Sequence, residues 1–473
     1  MRTLFFFILC LITSHLFSQE KQFEQFIGWR GNAIEVQTVS DSAKQQCGIL
    51  VANEDSIRVA WINSRLQVIK QFSIARYYHE QLLGGFIREG KMYLYNKNPE
   101  VVQMHAWVLD SATGSAADAA IRLELSGENI VSGVNCGNHF VCLTISPKTA
   151  EFVVHDFTTG REMCTFRCKF DQEAWDKLVK TAHAKKNLQV ANIELEGEGN
   201  FPLSACANKL YARNDSLLLL MNNELKETNV YCFDLKKKNV TTRTITHFAG
   251  FPDNSSQNAA DNSYLVQDKL LYVRVAKDSM GIQIMNFNTG EEMATYQASK
   301  NDSLWFINSR IVSEPMLDGM RVPDVGRLFR DMLHDNPFIT ALPMNNNQLA
   351  ITIGSSSGTT MTTRGYNLLP IPGGNLLPLS VNAGGALINT AILLGGKTTR
   401  KVLISSTRTT VLVDGGSGKH LPGETPMTHY KRVEKFSYDL NMPILGEALF
   451  MINGGYNYVY YDKKERKIMV FLL

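Results

Sequence analysis

Asp324, Arg327, Arg330 and His334 recur at spacings of three and four residues, which on a helix stacks them along neighbouring turns. Together with Arg364 and Asn375 they are the candidate ligand- or partner-binding residues of this chain. Guanidinium groups present planar forks of donors that fit carboxylates and phosphates, so the arginines suit an anionic group. Each member also has a plainer role open to it. Exposed charges solvate a helix face, and a histidine at the end of a helix complements its dipole, which is the commoner use of a pair such as His334-Asp335.

Other chemistry fails on its own terms. Gly418-Lys419 sits at a turn as in a phosphate-binding loop, but Val413 stands where that loop requires glycine and His420 where it requires Ser or Thr. There is no His-Glu-x-x-His helix, no Gly-x-Ser-x-Gly elbow and no dinucleotide-binding glycine pattern after a strand. His105, His139 and His155 fall on expected strands, where a hydrogen-bonded sheet histidine is commoner than a ligand. No catalytic residue, cofactor or metal ligand is assigned.

The elements that position these residues are read from turns. Seven times a short apolar run ends in Asp or Asn, at Asn63, Asp110, Asp156, Asp234, Asn286, Asp414 and Asp462. The fullest copies are Asp110-Ser-Ala-Thr-Gly114, Asp156-Phe-Thr-Thr-Gly160 and Asn286-Phe-Asn-Thr-Gly290. An Asx side chain accepts from the backbone two residues on, and the glycine takes a positive φ, so each is a hairpin turn. A second turn precedes most of them, as at Gly90-Lys91, Asn208-Lys209 and Asp268-Lys269. Two hairpins per unit make four strands. Steps of 47, 46, 78, 52, 128 and 48 residues then predict an all-β protein, a β-propeller of four-stranded blades. Seven blades are favoured, with six or eight as alternatives.

The two long steps hold insertions. Residues 171–190 read as an amphipathic helix, residues 309–337 contain the helix that Pro323 opens, and residues 354–396 are rich in Gly and Pro. Strands alternate direction, so both helices connect an outer strand to the next inner strand, and the Gly-rich segment joins a second strand to a third. All three crowd one face of the disc. Loops on a rigid scaffold carry binding, so that face is the expected working surface; capping the central channel is the plainer use.

Residues 1–18 carry Arg2, an apolar stretch from Leu4 to Ile12 and a polar end at Ser18, the pattern of a signal peptide too short to span a membrane. The expected organisation is a leader, 1–18, and one propeller domain, 19–473, exported to the periplasm, the outer membrane or the outside. The formal net charge of +3 in 473 residues gives no electrostatic footprint for nucleic acid. No later segment reads as a transmembrane helix. Beyond Cys10 seven cysteines remain, and the Gly137-Asn138 turn would set Cys136 opposite His139 and Cys142 opposite Gly133, which makes buried thiols the expectation.

The Asp156 and Asn286 turns resemble the Asp-x-x-Thr-Gly core of quinoprotein-type propeller repeats. That resemblance implies a blade. It implies no quinone, because Met163-Cys164 and Met293-Ala294 stand near the place of the tryptophan such repeats carry. With a leader ending Ser18-Gln19 and a Gly/Pro-rich insert after Ile351-Thr-Ile-Gly-Ser355, the chain also resembles divergent β-propeller repeat proteins of the exported bacterial type. The expected function is a scaffold that binds an envelope or extracellular protein or glycan through the inserted face. The alternative is an extracytoplasmic hydrolase or lyase with its site over the central channel.

Overall fold

The computed structural model describes most of residues 21–473; residues 1–20, 30–34, 177–189, 196–200, 248–258, 315–322, 363–368, 371–399, 428–431 and 434–443, with some shorter stretches, lie outside the described residues. Seven separate antiparallel sheets follow one another along the chain, each built on four strands. They are the blades of a β-propeller: residues 35–75, 81–124, 129–169, 208–246, 259–299, 336–414 and 444–472 for blades one to seven.

The Asx turns set the hairpins as their sequences require. Asp110 Oδ1 accepts from the Ala112 and Thr113 amides at 2.9 and 3.1 Å, and Gly114 follows at φ 73°. Asn286 repeats this with Asn288 and Thr289 at 2.9 and 3.0 Å and Gly290 at φ 77°. In the weaker copies the left-handed position is filled by Lys238 and Arg466, at φ 54° and 56°. The turn after Asp156 falls partly outside the described residues, but its sheet has the expected register, with Cys136 opposite His139 and Cys142 opposite Gly133. Cys47, Cys136, Cys142 and Cys168 are buried thiols, and burial pushes the first three up to about 12.

The core lies between blades. Trp61, Met92 and Leu94 fill the space between blades one and two; Tyr95, Phe140 and Phe157 that between two and three; and the largest cluster runs from blade four through blade six. Each blade thus buries both its faces against neighbours, which is why its middle strands read as continuous apolar runs.

Two blades take their outer strand from elsewhere in the chain. Blade seven is completed by Lys21–Phe26, antiparallel to Lys467–Leu472. None of that strand's side chains is fully buried, though Phe23 packs in part against the core. The ring is held by the residues after it: Ile27 is buried, the Ile27 and Gly28 amides donate to Arg466 O, Arg58 donates to Ile27 O at 2.6 Å and lies over the Trp29 ring, and Tyr461 donates to Trp29 O at 2.9 Å. Blade six receives its outer strand, Val312–Glu314, from ahead of its inner strand. This short strand lies inside the span that the sequence reads as insertion, because turn spacing carries no information about pairing order.

Candidate functional site

Strands are lettered A to D from the axis outward. Short A-to-B and C-to-D turns occupy one face of the disc. On the other face the helix Val325–His334 packs on blades five and six, while the described part of the first insertion, at Trp175, packs between blades three and four.

The helix Val325–His334 connects to the A strand of blade six. Asp324 caps it, accepting from the Arg327 amide at 2.8 Å, and Leu328, Phe329 and Met332 are buried beneath it. Beside it Gln348–Thr362 and Arg400–Asp414 pair throughout. The A strand stops at Asn336 opposite Ser356, and the pair continues alone from Ser357–Ser405 to Thr362–Arg400, an extension of about 20 Å. Leu369–Pro370 adds a short third strand. The Gly-rich segment is therefore carried on a long β-ribbon. At its root Gly354 permits close approach: a Cβ there would lie 2.2 Å from Thr407 O.

Of the helix expected from Asp171, Gln172, Trp175 and Asp176 are helical and much of the rest lies outside the described residues. Trp175 is buried against Phe170. Farther on, Ala191–Ile193 pairs in parallel with Lys209–Tyr211, on the free edge of the A strand of blade four, which is the edge that faces the axis. The Asn192 amide joins it to blade three, donating to Gly133 O at 2.7 Å and accepting from Ser132 at 2.6 Å.

Nearby, a buried polar network joins the chain at Ser204–Cys206 to blades four, five and six. Asn262, on the A strand of blade five, donates through Nδ2 to Ser204 O, Ala205 O and Pro337 O at 3.1, 3.3 and 2.7 Å, so one amide holds the insertion and blade six together. Its Oδ1 accepts from Lys209 Nζ at 2.5 Å, and Lys209 also donates to Cys206 O at 2.5 Å. Beside it Asp261 accepts from Tyr272 OH and the Lys226 amide, and the His247 ring stacks on Tyr272 at 3.8 Å. His247 Nε2 meets Thr228 Oγ1 at 2.8 Å, and Nδ1 meets Gln283 Oε1 at 3.3 Å. Burial disfavours charge throughout, moving Lys209 down to about 7, His247 down to about 4 and Asp261 up, the last opposed by its hydrogen bonds from Tyr272 and Lys226.

Arg327, Arg330 and His334 share one side of the helix, with Arg330 and His334 exposed. Asp324 serves as the cap. Arg364 and Asn375 lie outside the described residues. The residue that joins the helix to the ribbon is Asp331: it accepts from Thr407 Oγ1 at 2.7 Å and pairs with Arg327 at 3.4 Å. Its spacing of four from Arg327 was the available signal. Asn262 and Asp261 carry no local signal, because they sit in a strand and their partners are far off in sequence, and Lys209, expected in a turn, lies instead in the strand Asn208–Arg213. Among the described residues no group of three or more His, Cys, Asp and Glu side chains is placed to hold a metal ion, and no helix is long and apolar enough to cross a membrane.

No protein-family model and no curated protein sequence matches this chain. Solved propellers do match at low identity. The Dos1 propeller is 8% identical, with 97% of this chain and 95% of that one covered and a TM-score of 0.37. The β-propeller domain of the Trilobed protease from Pyrococcus furiosus is 8% identical, with 95% and 94% covered and a TM-score of 0.35. A chain of the Mitotic Checkpoint Complex is 9% identical, with 97% and 93% covered and a TM-score of 0.32. The likeness is one of fold, and the propeller assignment rests on the seven sheets themselves.

Proposed function

We propose that this chain is an exported propeller scaffold that binds a protein partner of the cell envelope or the extracellular space through its inserted face. The observation that carries the reading is that the helix Val325–His334 and the long ribbon both belong to blade six and are joined through Asp331 and Thr407. Among the described residues the A-to-B turns of the opposite face are short, as at Glu89-Gly90 and Gln267-Asp268. The ribbon runs beyond the A strand of its blade, and such a ribbon can add a strand from a partner along an edge, with main-chain hydrogen bonds giving affinity. Arg330 and His334 lie exposed on the adjoining helix and suit an acidic partner segment. Arg364 and Asn375, which lie outside the described residues, stay candidates on sequence grounds.

A hydrolase or lyase would need acids gathered over the axis. At blade four that position is taken by Ala191–Ile193, whose Ala191 and Ile193 are buried and apolar.

The test is mass-spectrometric identification of what co-purifies from native envelope extract with the protein and with a form lacking residues 358–396, with thermal unfolding measured on both. A partner lost with the segment while the melting temperature holds supports the reading. A partner retained by the shortened form, or none retained by either, overturns it in favour of a screen of glycan substrates and metals.

A further inference from the structure

Trp305 is 62% exposed and, with Phe26 at 63%, one of two aromatic side chains left largely open to solvent among the described residues. It lies on the segment that links the last strand of blade five to Val312–Glu314 along the outer rim of blade six. Its mounting is rigid. Phe306 and Tyr296 beneath it are buried, with ring centroids 5.5 and 5.8 Å away at interplanar angles of 88° and 54°. His420 stands edgewise at 6.2 Å and 83°. None of the three stacks flat on the indole, so they hold it by edges and leave aromatic surface uncovered.

The histidine is oriented as firmly as the indole. Asn308 Nδ2 donates to Leu421 O and Gly423 O at 2.8 and 3.1 Å, and its Oδ1 accepts from the Leu412 amide at 2.7 Å, which fixes the amide's direction. His420 Nε2, at 3.1 Å from that same Oδ1, must therefore be the donor. In the neutral ring that leaves Nδ1 as the acceptor, on a ring whose centroid is 6.2 Å from the indole's. The residues flanking the site in both segments, Asn301, Asp302, Ser303, Lys419 and Glu424, are polar and exposed.

We infer that Trp305 and His420 form a carbohydrate-binding platform on the outer rim, built for a neutral pyranose whose C–H face lies on the indole and whose hydroxyl donates to the imidazole. A sugar ring presents apolar C–H bonds on one face and hydroxyls at its edge, and this site offers an aromatic face with a fixed acceptor at its edge. Met427 in the second segment is 52% exposed, but the five polar neighbours outnumber it, which favours a sugar over an apolar protein patch.

The site is independent of the inserted face, so its test uses different residues. Immobilised neutral oligosaccharides of glucose, galactose, mannose and N-acetylglucosamine are offered at millimolar concentration to the purified protein and to Trp305→Ala, Trp305→Phe and His420→Ala, with melting temperature and indole fluorescence recorded for each. The expected result is binding of at least one oligosaccharide with a fluorescence change, about tenfold weaker in Trp305→Ala, partly kept in Trp305→Phe and reduced in His420→Ala. The melting temperature of Trp305→Phe should stay unchanged, which separates binding from folding should Trp305→Ala unfold. Absence of binding by the unaltered protein overturns the inference, as does binding by Trp305→Phe and His420→Ala as strong as that of the unaltered protein. Loss of residues 358–396 should leave this binding intact.

Discussion

The contact between blades two and three and that between blades four and five occupy equivalent places in the repeat and are held by different chemistry. In the first, Tyr95 stacks on Phe140 at 4.4 Å with Phe157 and Phe86 around it, and its buried hydroxyl has no hydrogen-bond partner. In the second, Tyr272, also on the second strand of its blade, gives its hydroxyl to Asp261 and its ring face to His247. An apolar contact sums many small dispersion terms and tolerates the loss of one polar atom. A buried polar network behaves as a unit, since removing one member strands the others in a medium that cannot solvate them. The second arrangement adjoins the chain at Ser204–Cys206, where an anchor must resist displacement rather than merely exclude water.

The contrast can be broken most severely at Asn262. Asn262→Leu leaves the Lys209 ammonium without one of its acceptors and deprives Ser204 O, Ala205 O and Pro337 O of their donor. A loss of about 4 kcal/mol is expected, read as a fall in the urea midpoint. A loss below about 1 kcal/mol would mean that water substitutes freely and that the network is no anchor.

Acid should act next. His247 is held down at about 4, below the ordinary histidine value of 6.5, so the unfolded chain takes up a proton before the folded one does. Its contribution is intact above 6.5 and is lost as the pH falls from 6.5 through about 4, on the order of 3 kcal/mol in all. Urea unfolding across that range should show the decline, and His247→Gln should flatten it; an equal slope in both proteins would place the acid sensitivity elsewhere.

The sharpest form of the comparison is a matched pair of substitutions. Tyr272→Phe removes a donor from a buried carboxylate and should cost about 2 kcal/mol. Tyr95→Phe removes a hydroxyl that was buried without a partner and should change stability by less than about 1 kcal/mol, in the stabilising direction. Similar destabilisation by both would erase the distinction between the two contacts.

How far the sequence discloses this differs between the fold and the surface. The hairpins at Asp110 and Asn286 are local: the accepting oxygen, the donating amides and the positive-φ glycine lie within five residues, so blade spacing and count can be read directly. Cys136 opposite His139 follows from the same locality. Pairing order is not local. Nothing near Lys21 marks it as the outer strand of blade seven, and three residues at Val312 are too few to show alternation. The axial strand Ala191–Ile193 is equally short and pairs in parallel, without a turn to announce it. For the candidate surface, the helix and its exposed Arg330 and His334 are legible from periodicity, whereas Asn262 reaches partners 40 to 75 residues away. Such residues stand out in sequence only as polar interruptions of buried strands, as Lys209 does before Leu210 and Tyr211.

Completion of blade seven by Lys21–Phe26 also sets the order of folding. Lys467 and Glu24, which meet at 3.2 Å, lie 443 residues apart in the chain. The ribosome therefore releases the outer strand first and its partner last, and blades one to six can condense in succession while the ring stays open. Closure must recover the entropy of a loop containing nearly the whole protein, a non-local step of the kind that slows β-rich chains. Since Lys21–Phe26 fully buries no side chain, Ile27 and Trp29 are the residues whose docking makes that step irreversible in practice, and the unfolding rate, more than the equilibrium stability, should record their loss.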